Sequence, residues 1–296
     1  MDNVSLLRQI NYSLMGLEHD TATETELRHP VLFVVGAPRS GTTLTTQVLA
    51  YGLNAGYITN IAARFWNAPT LGVRISRDIL GVDPAGNMGE AFFSSNQGQT
   101  PYGGGIHEFG YFWRSMCWES PKLHKIAQIQ AILDKPLVMK GIYPAHHAAV
   151  VKDALGDKVR FISIDRPFKD VLASTMKIAT GSGKPDFWFK GWELPAHKDA
   201  RLAHLPLNYR EAVRIYYWIK FASRIADYTL HLPNVCADPN LVLKALTQVI
   251  DGIDTYREIP EECSMKYSSY DDREAWIDMA DPEIVGYCET VCKELP

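Results

Sequence analysis

Five apolar residues in a row, Val31-Leu32-Phe33-Val34-Val35, run straight into Gly36-Ala37-Pro38-Arg39-Ser40-Gly41-Thr42-Thr43, and an apolar-periodic stretch follows to about Gly52. No other feature limits the fold as tightly. An unbroken apolar run has no polar side, so as a strand it must be covered on both faces. That is the situation of a parallel sheet between helix layers. The glycine-bounded loop then turns the chain directly into a helix. The first N–H groups of that helix have no partner within it and point into the loop.

The rest of the chain repeats the alternation. A second strand is expected at Leu137-Val138-Met139-Lys140, ended by Gly141, with a helix after Pro144 reaching about Leu155. Gly156-Asp157 turns the chain into a third strand, Val159 to Ile164, and another helix starts near Pro167, a residue suited to a first helical turn. A long helix is expected from Leu207 to about Leu230, and a further one over Asn240–Ile250. The whole, 1–296, reads as a single domain. Residues 1–29 are a helical lead-in, and 53–136 and 181–206 are insertions of loops and helices over the sheet edge. The stretch from Pro84 to Pro121 is rich in Gly, Asn, Gln and aromatics, and the second insertion holds Trp188 and Trp192 among turn residues. Long irregular segments of this kind often form lids or binding loops.

Charge and cysteine usage narrow the partners. A net charge of −4 with a pI of about 6.1 argues against nucleic acid and anionic membrane as bulk partners. A local cluster of donors can still hold a small anion. The five cysteines are odd in number and include no Cys-x-x-Cys pair, which speaks for thiols in a reducing compartment rather than a disulfide framework or a zinc site. Polar residues interrupt every apolar stretch of the N-terminus, and no run approaches the roughly 20 apolar residues that span a bilayer. The expectation is a soluble, cytoplasmic protein without a membrane span.

The first loop carries the chemistry. Gly36 and Gly41 let the backbone approach an anion closely. Ser40, Thr42 and Thr43 add hydroxyls, and Arg39 adds a planar fork of donors matched to phosphate or sulfate oxygens. The glycine spacing is that of the ATP-binding loop G-x-x-x-x-G-K-[ST], but Thr42 stands where that loop has lysine, and the cation has moved to Arg39. A phosphate-like group of lower charge than a triphosphate fits this better. The fold class is therefore α/β, with a P-loop-like central parallel β-sheet flanked by helices. A second anion site is expected at the end of the third strand. There Arg166 follows Asp165 at the carboxyl edge, and Ser174 lies two turns into the next helix.

The stretch PVLFVVGAPRSGTTLTTQVLA resembles the 5′-phosphosulfate loop of the sulfotransferases that use 3′-phosphoadenosine 5′-phosphosulfate (PAPS), nearest the branch that writes it G-x-P-R-S-G-T-T. The resemblance implies that Arg39, Ser40, Gly41, Thr42 and Thr43 bind the 5′-phosphosulfate. It also implies a 3′-phosphate site at Arg166 and Ser174, with Asp170 four residues after the arginine as in the family. Pro167 departs from the pattern by following Arg166 directly. The activity implied is in-line transfer of a sulfuryl group from PAPS to an acceptor hydroxyl, leaving 3′,5′-adenosine bisphosphate, with no metal required. The acceptor would be a small molecule, carbohydrate or lipid alcohol met by the two insertions.

Arg39 and Lys140 are the candidates for stabilising the leaving bisphosphate. For the general base, Glu108 comes first, then His107 and Glu90, with His146 and His147 also in range; a neighbourhood of aromatics can bring such a pKa towards working pH. Phe65, Trp66, Phe112, Trp113, Trp188 and Trp192 could wall an acceptor pocket. Two other readings stand beside this one: a P-loop nucleotide kinase or NTPase, and a nucleotide-binding protein without catalysis. A serine hydrolase is disfavoured because Ser40 lacks the G-x-S-x-G frame.

Overall fold

A computed structural model describes residues 3–19, 26–81, 104–106, 120–141, 144–181 and 206–261, with residues 265, 267, 286 and 290. Among the described residues, one sheet of four parallel strands has the order β2-β1-β3-β4. The strands are β1 (Val31–Val35), β2 (Leu137–Lys140), β3 (Val159–Asp165) and β4 (Tyr228–His231). Phe33 in β1 is level with Met139 of β2 on one side and with Phe161 of β3 on the other.

The helices in chain order are α1 (Asn3–His19), α2 (Thr42–Gly52), α3 (Pro69–Arg74), α4 (Ser120–Leu133), α5 (Ala148–Leu155), α6 (Phe168–Gly181), α7 (Leu207–Ile225), α8 (Leu232–Ala237) and α9 (Pro239–Val249). Successive residues of a strand face opposite sides of the sheet, and β1 shows the result. Val31, Phe33 and Val35 join a core with α4, α5, α6 and α7, while Leu32 and Val34 join a second core with α2, α8 and α9. Both faces are covered, which is why β1 tolerates no polar residue.

One difference from the expected elements has a clear cause. The helix expected to run to about Leu230 stops at Ile225, and Tyr228–His231 becomes β4. Asp227 makes the break. Its N–H donates to the Phe161 carbonyl (2.8 Å) and its carboxylate accepts from the Phe161 N–H (2.8 Å) and from Lys152 Nζ (2.8 Å). The chain is thereby tied to β3 and leaves the helix. Ser163 Oγ and Thr229 Oγ1, 2.7 Å apart, hold the new pair. Within the stretch 53–136, α4 packs Leu123, Ile126 and Ile129 into the core that also holds Val31, Phe33 and Val35.

The lead-in helix α1 is fastened by buried polar groups. Asn11 Nδ2 donates to the Arg64 carbonyl (2.8 Å), and its Oδ1 accepts from the Asn67 N–H (2.9 Å). Glu18, 2% exposed, accepts from the N–H groups of Thr70 (2.9 Å) and Leu71 (3.2 Å), with Lys125 Nζ 3.6 Å away. A carboxylate at the start of α3 satisfies donors the helix cannot satisfy itself. Glu18→Ala should lower the unfolding free energy by roughly 1–3 kcal/mol, the cost of orphaning buried donors. Urea denaturation with an unchanged midpoint would contradict this role. Among the described residues, no helix is long and apolar enough to cross a membrane.

Candidate active site

The carboxyl ends of β2, β1 and β3 lie side by side, and each delivers a cation to the same edge. The chain leaves β1 for β2 on one side and β3 for β4 on the other. A crevice outside such a reversal is where α/β sheets place ligands. Lys140 is the last residue of β2, Arg39 sits in the loop after β1, and Arg166 follows the last residue of β3.

The loop is tightly wound. The Ser40 N–H donates to the Ala37 carbonyl at 3.1 Å. At Gly36 a β-carbon would stand 2.7 Å from Ser40 Oγ and 3.3 Å from the Ile164 carbonyl oxygen, so a side chain there would displace the Ser40 hydroxyl. Arg39 has φ 68°, a left-handed conformation that a non-glycine residue rarely holds without support. That support is visible: the Arg166 guanidinium donates from NH1 to the Arg39 carbonyl at 2.8 Å. Gly41, at φ 95°, closes the loop, and α2 begins with no side-chain cap. The first turn of α2 therefore offers its N–H groups to whatever occupies the loop.

The cationic side chains converge on this loop. Lys140 Nζ donates to Thr43 Oγ1 at 2.9 Å. Arg39 Nε donates to Ser174 Oγ at 3.2 Å, which joins the loop to α6. The loop after β1 and the start of α6, the two stretches read from the sequence as anion sites, are thus joined by direct contacts. Ser40 Oγ, on a residue 1% exposed, has no hydrogen-bond partner among the described residues.

On the α6 side, Arg166 is 9% exposed and Asp170 is 1% exposed. The Tyr267 hydroxyl donates to Asp170 Oδ2, and the Tyr267 ring centroid is 5.6 Å from the Arg166 guanidinium carbon. Burial, and after it the bond to Asp170, push the Tyr267 hydroxyl up to about 12, with Arg166 acting the other way. It stays a protonated donor at neutral pH. Tyr267 did not stand out in the sequence, because nothing in its local pattern signals a contact with residues some hundred positions earlier. Cys236 is buried nearby; burial raises its thiol pKa, opposed by the charge of Arg166.

The base candidates divide. Glu108, His107 and Glu90 lie outside the described residues, as do Phe112, Trp113, Trp188 and Trp192. His146 is described, and its ring stacks on Phe221 (5.2 Å between centroids) with Trp218 edge-on at 4.8 Å. This packing gives it a place in the aromatic core. His147 is half-buried, and burial holds its pKa below the usual imidazole range, which favours the neutral form. Phe65 and Trp66 are half-buried, with Phe65 against Gly72 of α3.

No protein-family model matches the chain, and no curated protein matches it. Solved structures of similar chain path are sulfotransferases. STF9 from Mycobacterium avium is 13% identical, with 95% of this chain and 81% of that one covered at a TM-score of 0.49. STF1 from Mycobacterium tuberculosis H37Rv is also 13% identical, covering 82% and 72% at 0.46. The sulfotransferase domain of the Synechococcus PCC 7002 olefin synthase is 15% identical, covering 92% and 97% at 0.44.

Proposed function

We propose that the chain is a sulfotransferase that binds PAPS at the carboxyl edge of its sheet and passes the sulfuryl group to an acceptor hydroxyl. One observation carries the reading. Arg39 reaches Ser174 and Arg166 reaches the Arg39 carbonyl, across 135 and 127 residues of sequence, so two anion-binding motifs become one cradle. A nucleotide with phosphates on both its 3′ and 5′ oxygens presents two anions one sugar apart, and this cradle has donors for both.

Ser40, Gly41, Thr42 and Thr43 hold the 5′ group through hydroxyls and the first N–H groups of α2. Arg166 and Ser174 hold the 3′ group. The buried Ser40 hydroxyl suits this role, since a donor without a partner costs roughly 1–3 kcal/mol, and an oxyanion in the loop would accept from it. Arg39 and Lys140 stabilise the charge that grows on the bridging oxygen, the largest single contribution in transfers of this type. The donor supplies an activated sulfur: the acceptor oxygen bonds to it as the bond to the bridging oxygen breaks, and the acceptor proton goes to a base. Glu108 and His107 are the proposed bases, and the acceptor is a small-molecule, carbohydrate or lipid alcohol.

The ammonium of Lys140 beside Thr43 favours a second reading, a nucleotide kinase or NTPase, because it supplies a charge that Thr42 lacks. Two measurements decide. Label should pass from 35S-PAPS to at least one member of an acceptor panel. 3′,5′-Adenosine bisphosphate should raise Tm well above the effect of magnesium and ATP at equal concentration; at 100 times Kd a ligand stabilises by about 2.7 kcal/mol. A larger shift with ATP, together with magnesium-dependent release of its γ-phosphate, would replace the first reading with the second.

A further inference from the structure

Tyr267, from the chain beyond α9, has no part in the reading above, yet it stands between the two charged groups of the α6 side. Its ring faces the Arg166 guanidinium and its hydroxyl holds one oxygen of Asp170. Asp170 is in the first turn of α6, four residues on from Arg166, and both are buried. A buried carboxylate held by the same tyrosine that the guanidinium faces competes with any incoming anion for it. A tyrosine hydroxyl on that carboxylate weakens the competition, and an aromatic face beneath a guanidinium fixes the plane of its fork.

We propose that Tyr267 is a positioning residue for Arg166, so that recognition of the 3′-phosphate of the donor depends on the chain beyond α9. The inference rests on the donor reading above. Without the ring and hydroxyl, Asp170 draws the guanidinium towards α6 and away from the crevice. A nucleotide lacking the 3′-phosphate makes no direct contact with Arg166 and feels its displacement only through the bond to the Arg39 carbonyl, so it loses less.

Calorimetric titration with 3′,5′-adenosine bisphosphate and with 5′-AMP tests this on the full chain. The wild type should prefer the bisphosphate. Tyr267→Leu should weaken the bisphosphate by roughly tenfold, within the range of a lost cation–π contact and a lost charge-assisted hydrogen bond. Tyr267→Phe, which keeps the ring, should recover part of that loss. Binding of 5′-AMP should fall by clearly less than that of the bisphosphate, and the melting temperature of each free variant shows that it folds. Equal weakening of both nucleotides, or no weakening of either, overturns the role of Tyr267 while the donor reading stands. A wild type without preference for the bisphosphate overturns both. Should Tyr267→Leu fail to fold, Tyr267→Phe carries the test alone, and unchanged discrimination there overturns the proposal.

Discussion

Arg39→Ala is expected to reduce sulfuryl transfer by about a thousandfold, at the upper end of what removal of one preorganised charge donor costs. The side chain reaches from the loop after β1 to Ser174 on α6, so on the donor reading its loss removes charge from both ends of the nucleotide. Arg39→Lys restores the charge without the fork and should recover only part of the rate. Arg166→Ala should also impair transfer. The double variant should be far less affected than two independent losses would require, because residues in one hydrogen-bonded network do not act additively. Stability should move the other way in one case: Arg39→Gly relieves a left-handed residue at φ 68° and should be more stable than Arg39→Ala by about 1 kcal/mol. If Arg39→Ala and Arg166→Ala both retain wild-type kcat/KM with labelled PAPS, the cradle is not the donor site.

Trp218→Ala should destabilise the fold by about 3–5 kcal/mol, the usual cost of removing a large aromatic from a packed core. Trp218 is 0% exposed and meets both His146 and Phe221 through ring contacts. The cavity would open beneath the turn Pro144–His147, a few residues after Lys140. The substitution should therefore also reduce transfer in the fraction that remains folded. Trp218→Phe fills part of the space and should cost clearly less. Guanidinium denaturation reads both, and a loss below about 1 kcal/mol for Trp218→Ala would mean that this aromatic cluster is not packed as described.

The strands were legible in proportion to how deeply they are buried. β1 and β2 begin and end at the residues the apolar runs mark, since strands covered on both faces admit almost no polar residue. β3 runs one residue further, to Asp165, because a carboxylate at a strand end can remain in the ladder while its side chain meets His231 Nδ1 at 2.8 Å. β4 was hidden. It is an edge strand of alternating half-buried and exposed residues, and the helical pattern of the preceding segment blends into it. At the candidate site, Arg39 to Thr43, Lys140 and Arg166 could be singled out because each belongs to a local pattern at a strand end, and Ser174 by its spacing of eight from Arg166. What joins them is not local: the contacts of Arg39 with Ser174 and of Tyr267 with Asp170 bridge 135 and 97 residues. No periodicity encodes such a meeting.

The hydrogen bond from Arg166 to the Arg39 carbonyl has a thermodynamic consequence. The bend of the loop after β1 is propped by Arg166 from the end of β3. On the donor reading, a loop held in shape by the fold itself loses little entropy on association, and more of the contact energy is retained as affinity.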